Sequence, residues 1–574
     1  QRRIQDVRLV YTPPKDLGKF GGDIDNWMYP RHTADFTFLR AYVGRDGRER
    51  PYHVDNVPLK TPTHLRVTTR GVKRGDLSLV IGFPGRTSRH VTTEAVSFLT
   101  ETQVPMALQV LREMISRLNA WMRADADTRR KYASLEAGAQ NAYKYYQMID
   151  RGMKQFHVLE TKSREQKRLL AAFPPRSAGV RNARRLLAEI AARYRGLRGY
   201  YRRLNSLIWI SGWGSRSAAM AYDMVAWSIE KQKTNRMRKK QRYKDKNVHY
   251  FVRSARRFER ETNLGTERAL LVFFLSRNAS APKGQRLKAL DVLLRWGQRR
   301  LAAVKKEARA KKIAFEAHFE ALFGVAPAKT ALERAVAMML GETKLIAHGS
   351  DPASIKAAVD LRERVFKMRL PELRKLNDPL LSFAAALEGE RRAIEEGPHR
   401  QITEHLATLL HPKWVAEVKR ATYPDANSTV RLSYGKVLDY TSTATKREHR
   451  YITDLRGVLA KDKGRFPFNV PAFLKAAAPS ANKSPFADKE IGDVPVNFTT
   501  TLDTTGGNSG SPVLDKNGDL VGLLFDGTPE AVISDWLYIA KDQRSICVDI
   551  RYALYLASLA KADALLREIG VEGR

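Results

Sequence analysis

The chain has 574 residues, 43% of them hydrophobic, enough for about two to four domains and a sizeable core. Lys and Arg total 101 against 61 acids, a net charge of +40 with a pI near 10.2, and that excess favours polyanions, anionic surfaces or acidic peptides as contacts. No apolar run is long enough to span a bilayer, and the single cysteine, Cys547, excludes an internal disulfide and any zinc site built from cysteines.

The amino end, Gln1-Arg2-Arg3-Ile4, has no signal-peptide character and passes at once into a strand at Val7 to Tyr11, which reads as a fragment of a longer protein. Residues 1 to about 92 read as strands and turns. Lys15 to Asp25 is rich in Gly and Asp, and Thr33 to Val43 is a strand closed by the turn Gly44-Arg45-Asp46-Gly47. Leu77 to Gly85 is a buried strand ending in a tight turn. From about residue 93 to 425 the texture is helical. Leu287, Leu290, Leu294, Leu301 and Val304 form one apolar stripe, and Asp351-Pro352 opens a further helix as cap and first turn.

Basic runs lie inside this block: Arg236 to Arg242, Arg253 to Arg260 and Arg299 to Lys312. Tyr243, Tyr250 and Phe251 are interleaved, as aromatics are in many single-strand binders. No nucleic-acid module accompanies them, so a solvated helical face is the favoured reading, with weak binding to polyanions or anionic surfaces as an expectation. From 426 to 574 strands return at Val430 to Gly435 and Val494 to Phe498. A closing helix carries Tyr552, Leu556, Leu559, Leu566 and Ile569 on one face. The simplest architecture is one β domain interrupted by a helical insertion; three independent domains are the alternative.

The chemistry concentrates at Thr504-Thr505-Gly506-Gly507-Asn508-Ser509-Gly510-Ser511-Pro512. A serine hydroxyl attacks only when a base takes its proton and donors stabilise the oxyanion, and glycines let the backbone N–H groups converge on one point. Asn517-Gly518 between Val513-Leu514 and Leu520 to Phe525 marks a hairpin. Asp35 starts an apolar strand, so its carboxylate could be buried and orient a histidine; alternatively it pairs with Arg31 or Arg40.

Two blocks together carry a resemblance: Gly18-Lys19-Phe20-Gly21-Gly22-Asp23-Ile24-Asp25-Asn26-Trp27-Met28-Tyr29-Pro30-Arg31-His32-Thr33-Ala34-Asp35-Phe36, and the Ser509 stretch through Val513-Leu514. The chain resembles the bacterial dipeptidyl-peptidase 7 and 11 family, serine peptidase family 46. The resemblance implies a multidomain α and β protein: a chymotrypsin-like double β-barrel, its first barrel incomplete here, interrupted by a large all-α insertion. It implies Ser509 as nucleophile, Asp35 as triad carboxylate, and the N–H groups of Gly507 and Ser509 as oxyanion hole. Asn26, Trp27, Asp526 and, from the helical block, Asn141 would bind the substrate's free amino terminus. Members preferring Asp or Glu at the second residue resemble one another in an arginine after the Asp526 position; Gly527 stands there, which implies an apolar second residue. The family's catalytic histidine lies in an Asn-His-His-type motif upstream of the Asp35 block, and none occurs in these residues; His32 is too local to Asp35 to serve. The expectation is a serine exopeptidase releasing dipeptides from peptides with free N-termini, inactive alone without its base. It would be periplasmic or at the cell surface, homodimeric, without metal or organic cofactor and without a specific nucleic-acid partner. A basic polyanion-binding protein on an inert peptidase scaffold and a trypsin-like endopeptidase are the alternatives.

Overall fold

The computed structural model describes residues 3–238, 241–397, 400, 402 and 424–571. The chain divides into two compact units, Gln1–Val96 with Tyr143–Gln166 and Arg420–Arg574, and Ser97–Ala142 with Lys167–Lys419.

In the first unit a three-stranded antiparallel sheet joins β1 (Asp6–Tyr11), β2 (Phe38–Val43) and β3 (Val57–Pro58) in that order. The main sheet has seven strands: β4 (Leu77–Gly82), β5 (Arg431–Lys436), β8 (Ile452–Asp454), β9 (Pro495–Thr500), β10 (Pro512–Leu514), β11 (Leu520–Gly527) and β12 (Ser545–Asp549). Its order is β5-β4-β10-β11-β12-β9-β8, and a separate hairpin pairs β6 (Tyr440–Thr441) with β7 (Glu448–His449). Residues 77–82, which local sequence groups with the amino-terminal strands, therefore lie hydrogen-bonded between β5 and β10 in the sheet that carries Ser509. Local apolar character reveals a strand and says nothing of which strand it pairs with.

Alternation from Leu523 onwards, after a register shift against β10 at residues 520–522, sorts the side chains of the central strands. Val521, Leu524 and Cys547 enter one core cluster with Phe498 and Val513, while Leu523, Phe525 and Val548 face the other, built on Phe20, Phe36, Val496 and the helix Ile550–Leu559. Gly522 is needed here: a Cβ would stand 2.6 Å from the Phe498 ring. The Asn517-Gly518 turn closes as expected, with Gly518 at φ +80° and Asp515 and Asp519 bonded across it at 2.9 Å.

The expected strand from Thr33 begins only at Phe38. Thr33 instead exchanges two hydrogen bonds with the buried Asn497 side chain, N–H to Oδ1 at 2.8 Å and Nδ2–H to its carbonyl at 3.0 Å, so its backbone is committed before a sheet ladder can form. The closing helix is two, Ile550–Leu559 and Asp563–Glu568, broken where Lys561 takes φ +55°.

The second unit is helical. Leu287, Leu290 and Val304 of the expected stripe are buried along the helix Lys288–Ala310, and Asp351 caps the helix Pro352–Lys367 by accepting from the Ser354 N–H at 2.8 Å. A buried carboxylate, Glu267, ties three segments together, accepting from the Tyr132 hydroxyl at 2.5 Å, the Ser215 hydroxyl at 2.8 Å and the Ser217 N–H at 2.8 Å. The interleaved aromatics of the basic runs divide: Tyr243 and Phe251 are buried and stacked at 5.9 Å, and only Tyr250 is exposed. Arg238 is buried as well, donating to the carbonyls of Glu230, Lys233 and Tyr243 at 2.9 to 3.1 Å. That part of the run is core, not a solvated or stacking face; Lys239 and Lys240 lie outside the described residues.

Candidate active site

Ser509 sits in a pair of tight turns before β10. The Asn508 N–H donates to the Thr505 carbonyl at 3.1 Å, and the Ser511 N–H to the Asn508 carbonyl at 2.9 Å. Gly507 and Gly510 take φ +105° and +84°, a left-handed region that glycine enters without penalty. At Gly507 the space demands it too, since a Cβ would lie 2.6 Å from the Phe83 carbonyl and 2.7 Å from the Gly85 nitrogen. The turn is pinned from both sides: Gly85 N–H donates to the Gly506 carbonyl at 2.7 Å and Gly510 N–H to the Leu524 carbonyl at 2.7 Å. Ser509 and Gly507 are exposed, and among the described residues neither of their N–H groups donates a hydrogen bond. Ser509 is thus exposed on a turn pinned at both ends, with its own N–H and that of Gly507 uncommitted, and oxyanion stabilisation needs such uncommitted donors.

Asp526 is the other fixed point. The β11–β12 register shifts between Leu524 and Asp526, and such a bulge re-aims the side chain that follows it. Its Oδ2 accepts from the Trp27 N–H at 3.1 Å and from Arg31 Nη1 at 2.6 Å, and its Oδ1 from the Gly527 N–H at 2.8 Å. Both partners of the ion pair are nearly buried, with side chains 10% and 8% exposed. Arg31 is held in turn by the Thr33 hydroxyl at 2.8 Å, the Asp25 carbonyl at 2.6 Å and the Phe525 ring at 5.2 Å. Trp27 has φ +51°, an uncommon conformation for a bulky residue, and it is this backbone turn that aims its N–H at Asp526. Asn26, half-buried beside it, donates to Asp23 Oδ1 at 3.4 Å.

The helix Ala126–Gln155 supplies the rest of this wall from its Tyr143–Gln155 part. Lys144 donates to the Asp23 and Ile24 carbonyls at 2.5 and 3.1 Å, and burial lowers its pKa. The Tyr145 ring lies 5.9 Å from that of Trp27. Its hydroxyl donates to Asp535 Oδ2 at 3.4 Å, and Asp535 Oδ1 takes the hydroxyl of Thr505 in the Ser509 turn. Burial raises the pKa of Asp535, opposed by that hydroxyl bond and by Arg89.

Asp35 differs from its expectation. It is exposed instead of buried, lies before β2, and among the described residues has no hydrogen bond. Neither alternative partner holds it, for Arg31 is committed to Asp526 and Arg40 to Glu568. Enough protein surrounds its carboxyl for desolvation to raise the pKa, with the charge of Asp526 adding to the rise and Arg31 and Lys19 opposing it. His32 is buried against Gly457, where a Cβ would lie 2.1 Å from its Nε2, and burial lowers its pKa to about 3. Its Nδ1 has no partner, and among the described residues no histidine hydrogen-bonds Ser509 or Asp35. Gly527 follows Asp526 directly: a Cβ there would meet Ala531 Cβ at 3.0 Å and the Arg544 carbonyl at 3.4 Å. Asn141 belongs to the second unit, so its assignment rests on the resemblance alone.

The profile of the family described as peptidase S46 matches residues 1–341 and 353–571. The chain belongs to peptidase family S46. Among relatives, an Asp/Glu-specific dipeptidyl-peptidase of Shewanella putrefaciens is 31% identical over 99% of this chain and 75% of its own length. A dipeptidyl-peptidase 7 of Phocaeicola vulgatus is 30% identical over 97% and 71%. A crystal structure of Porphyromonas endodontalis DPP11 in complex with the dipeptide Arg-Glu is similar with a TM-score of 0.74 at 25% identity, covering 99% of this chain and 75% of that one. The S46 assignment makes the chain a peptidase of mixed α and antiparallel β structure, as these neighbours are.

Arg31, Tyr145, Lys144 and Asp535 are the parts of this site that sequence reading missed. Arg31 lies in the Gly18 to Phe36 block, where the carboxylate nearest to it in sequence is Asp35. Tyr145 lay in the aromatic run Tyr143 to Tyr146, whose one signal was its density of rings.

Proposed function

We propose that this S46 peptidase is a serine dipeptidyl-peptidase that releases dipeptides from free peptide N-termini, with an apolar residue preferred at the second position. The observation that carries the reading is Asp526: a nearly buried carboxylate fixed by the Trp27 and Gly527 N–H groups and by Arg31, on the strand that pairs with the one following Ser509. A carboxylate so held recognises the ammonium of a chain end by a charge-assisted hydrogen bond, and an acylated amine has no charge to offer it. Ser509 is the nucleophile in this reading and Gly507 and Ser509 N–H the oxyanion donors. Asp35 orients a histidine supplied from outside the described residues. The seven-stranded sheet corresponds to the second barrel of a chymotrypsin-type pair and the three-stranded sheet to part of the first. Export and homodimer formation remain expectations of the resemblance.

The preference at the second residue rests on Gly527. The relatives include both Asp/Glu-specific dipeptidyl-peptidases and dipeptidyl-peptidases 7 at nearly equal identity, so overall similarity does not choose between them. Gly527 brings no cation, and the buried carboxylate three residues on, Glu530, is already held by the Tyr440 hydroxyl at 2.8 Å and the Thr443 hydroxyl at 2.6 Å. The test is hydrolysis by the full-length protein of dipeptidyl coumarins carrying Leu, Phe, Asp or Glu second, with free and formylated amino groups. Leu and Phe substrates with free amines are expected to be cleaved and formylated ones spared; equal turnover of both forms would refute the exopeptidase reading. Gly527→Arg should move the preference towards Asp and Glu by about 10- to 100-fold, the worth of one charge-assisted pair, after a shift of a few tenths of an ångström at Ala531.

A further inference from the structure

The segment Pro529–Asp535 leaves the sheet directly after Gly527-Thr528 and contacts both the turn that carries Ser509 and the helix Ala126–Gln155. Its Ser534 hydroxyl donates to the Thr504 carbonyl at 2.9 Å, and its Asp535 carboxylate takes the Thr505 hydroxyl on one oxygen and the Tyr145 hydroxyl, at 3.4 Å, on the other. From behind, the Ser88 N–H donates to the Asp535 carbonyl at 2.6 Å and Arg89 Nε to the Ser534 carbonyl at 2.9 Å. The helix Ala126–Gln155 approaches so closely at Gly152 that a Cβ there would lie 2.6 Å from Ile533. Asp535 is thus gripped on its main chain, and only its two oxygens reach outwards.

Those oxygens join two functions. Thr505 supplies the carbonyl that accepts from the Asn508 N–H at 3.1 Å and from Asn508 Nδ2 at 3.2 Å, so its position sets the turn that presents Ser509 and the Gly507 N–H. Tyr145 lies against Trp27, whose N–H holds Asp526. An aspartate accepts on both sides at once, whereas asparagine has one acceptor and one donor there.

We propose that Asp535 is a positioning residue that couples the amino-terminal anchor, through Tyr145 and Trp27, to the turn carrying Ser509, through Thr505. The proposal rests on the dipeptidyl-peptidase reading above. It makes occupancy of the anchor felt at the nucleophile, so that a free amino terminus raises turnover as well as affinity.

A double-mutant cycle on the full-length protein tests it, with kcat and KM measured on a free-amine dipeptidyl coumarin. Thr505→Val and Tyr145→Phe each delete one hydroxyl, and each is expected to lower kcat about tenfold. The double variant is expected to lose about tenfold rather than about 100-fold, because contacts sharing one partner are not additive. Asp535→Asn should reproduce that loss, and Thr505→Ser, which restores the hydroxyl, should keep kcat within about threefold of wild type. Multiplicative losses, or a Thr505→Ser loss equal to that of Thr505→Val, would overturn the coupling. If Asp535→Asn fails to fold, the two hydroxyl deletions and the serine rescue decide alone. Equal cleavage of free and formylated substrate by the wild type would count against the exopeptidase reading, a result separate from the outcome of the cycle.

Discussion

Two aspartates of the candidate site have opposite surroundings. Asp526 is nearly buried and accepts three hydrogen bonds, one from a guanidinium that is itself held by a hydroxyl, a carbonyl and an aromatic ring. Asp35 is exposed, and no described residue donates to it. A carboxylate of the first kind is part of the fold: removing it strands a buried charge, and burial makes that expensive. A carboxylate of the second kind holds nothing together, so its value is confined to the chemistry it serves. The contrast teaches that the proposed anchoring half of the site is built by folding, and that Asp35, the proposed triad carboxylate, lies on the surface of that construction.

The predictions separate these roles, beginning with the largest effect. Ser509→Ala should reduce kcat of the full-length protein by about 10⁶-fold, and Asp35→Asn by about 10⁴-fold, with little change in KM for either. A loss below about tenfold in the second variant would remove Asp35 from the triad. Asp526→Ala should destabilise the protein by about 3–5 kcal/mol in urea unfolding, because Arg31 is left buried without its anion. The same change should raise KM for free-amine substrates; unchanged stability and unchanged KM together would dismantle the contrast.

His32, three residues before Asp35 and next to Arg31, gives a pH-dependent version of the same test. Its folded pKa of about 3 lies below its ordinary 6.5, so it contributes stability that is complete above pH 6.5 and is lost as pH falls towards 3. Between pH 7 and pH 4.5 the loss from this one group is about 3 kcal/mol, and His32→Gln should remove that share of the slope. An unchanged slope would show that the ring is protonated without cost. The smallest effect is the control: Asp35→Asn should leave stability within about 0.5 kcal/mol, as exposed, unpartnered groups do.

Much of the site was legible because its chemistry is local. Gly507 and Gly510, on either side of Ser509, need left-handed backbone angles, and those needs are written as glycines; the Asn517-Gly518 hairpin is legible for the same reason. The stripe of the helix Lys288–Ala310 and the Asp351 cap follow from the helical period and from unsatisfied N–H groups at a helix start. Arg238, Tyr243 and Phe251 show the limit of that reading. A basic run with aromatics looks like a binding face until packing buries the rings and turns the guanidinium onto four residues' carbonyls.

By itself the sequence determined the β–α–β order, the glycine-rich turn at Ser509 and the membership of an S46-like family, since each rests on residue types at short spacing or on long matched blocks. Tertiary structure alone decided what each carboxylate does. Arg31 is four residues from Asp35 and 495 from Asp526, yet it bonds the distant one, because a bulge in β11 turns Asp526 inwards to where Arg31 is already held. It also decided that residues 77–82 share a sheet with Ser509, and that Asp535 stands between Thr505 and Tyr145. Charge pairing and strand pairing depend on distance through space and on burial, and neither is written in distance along the chain.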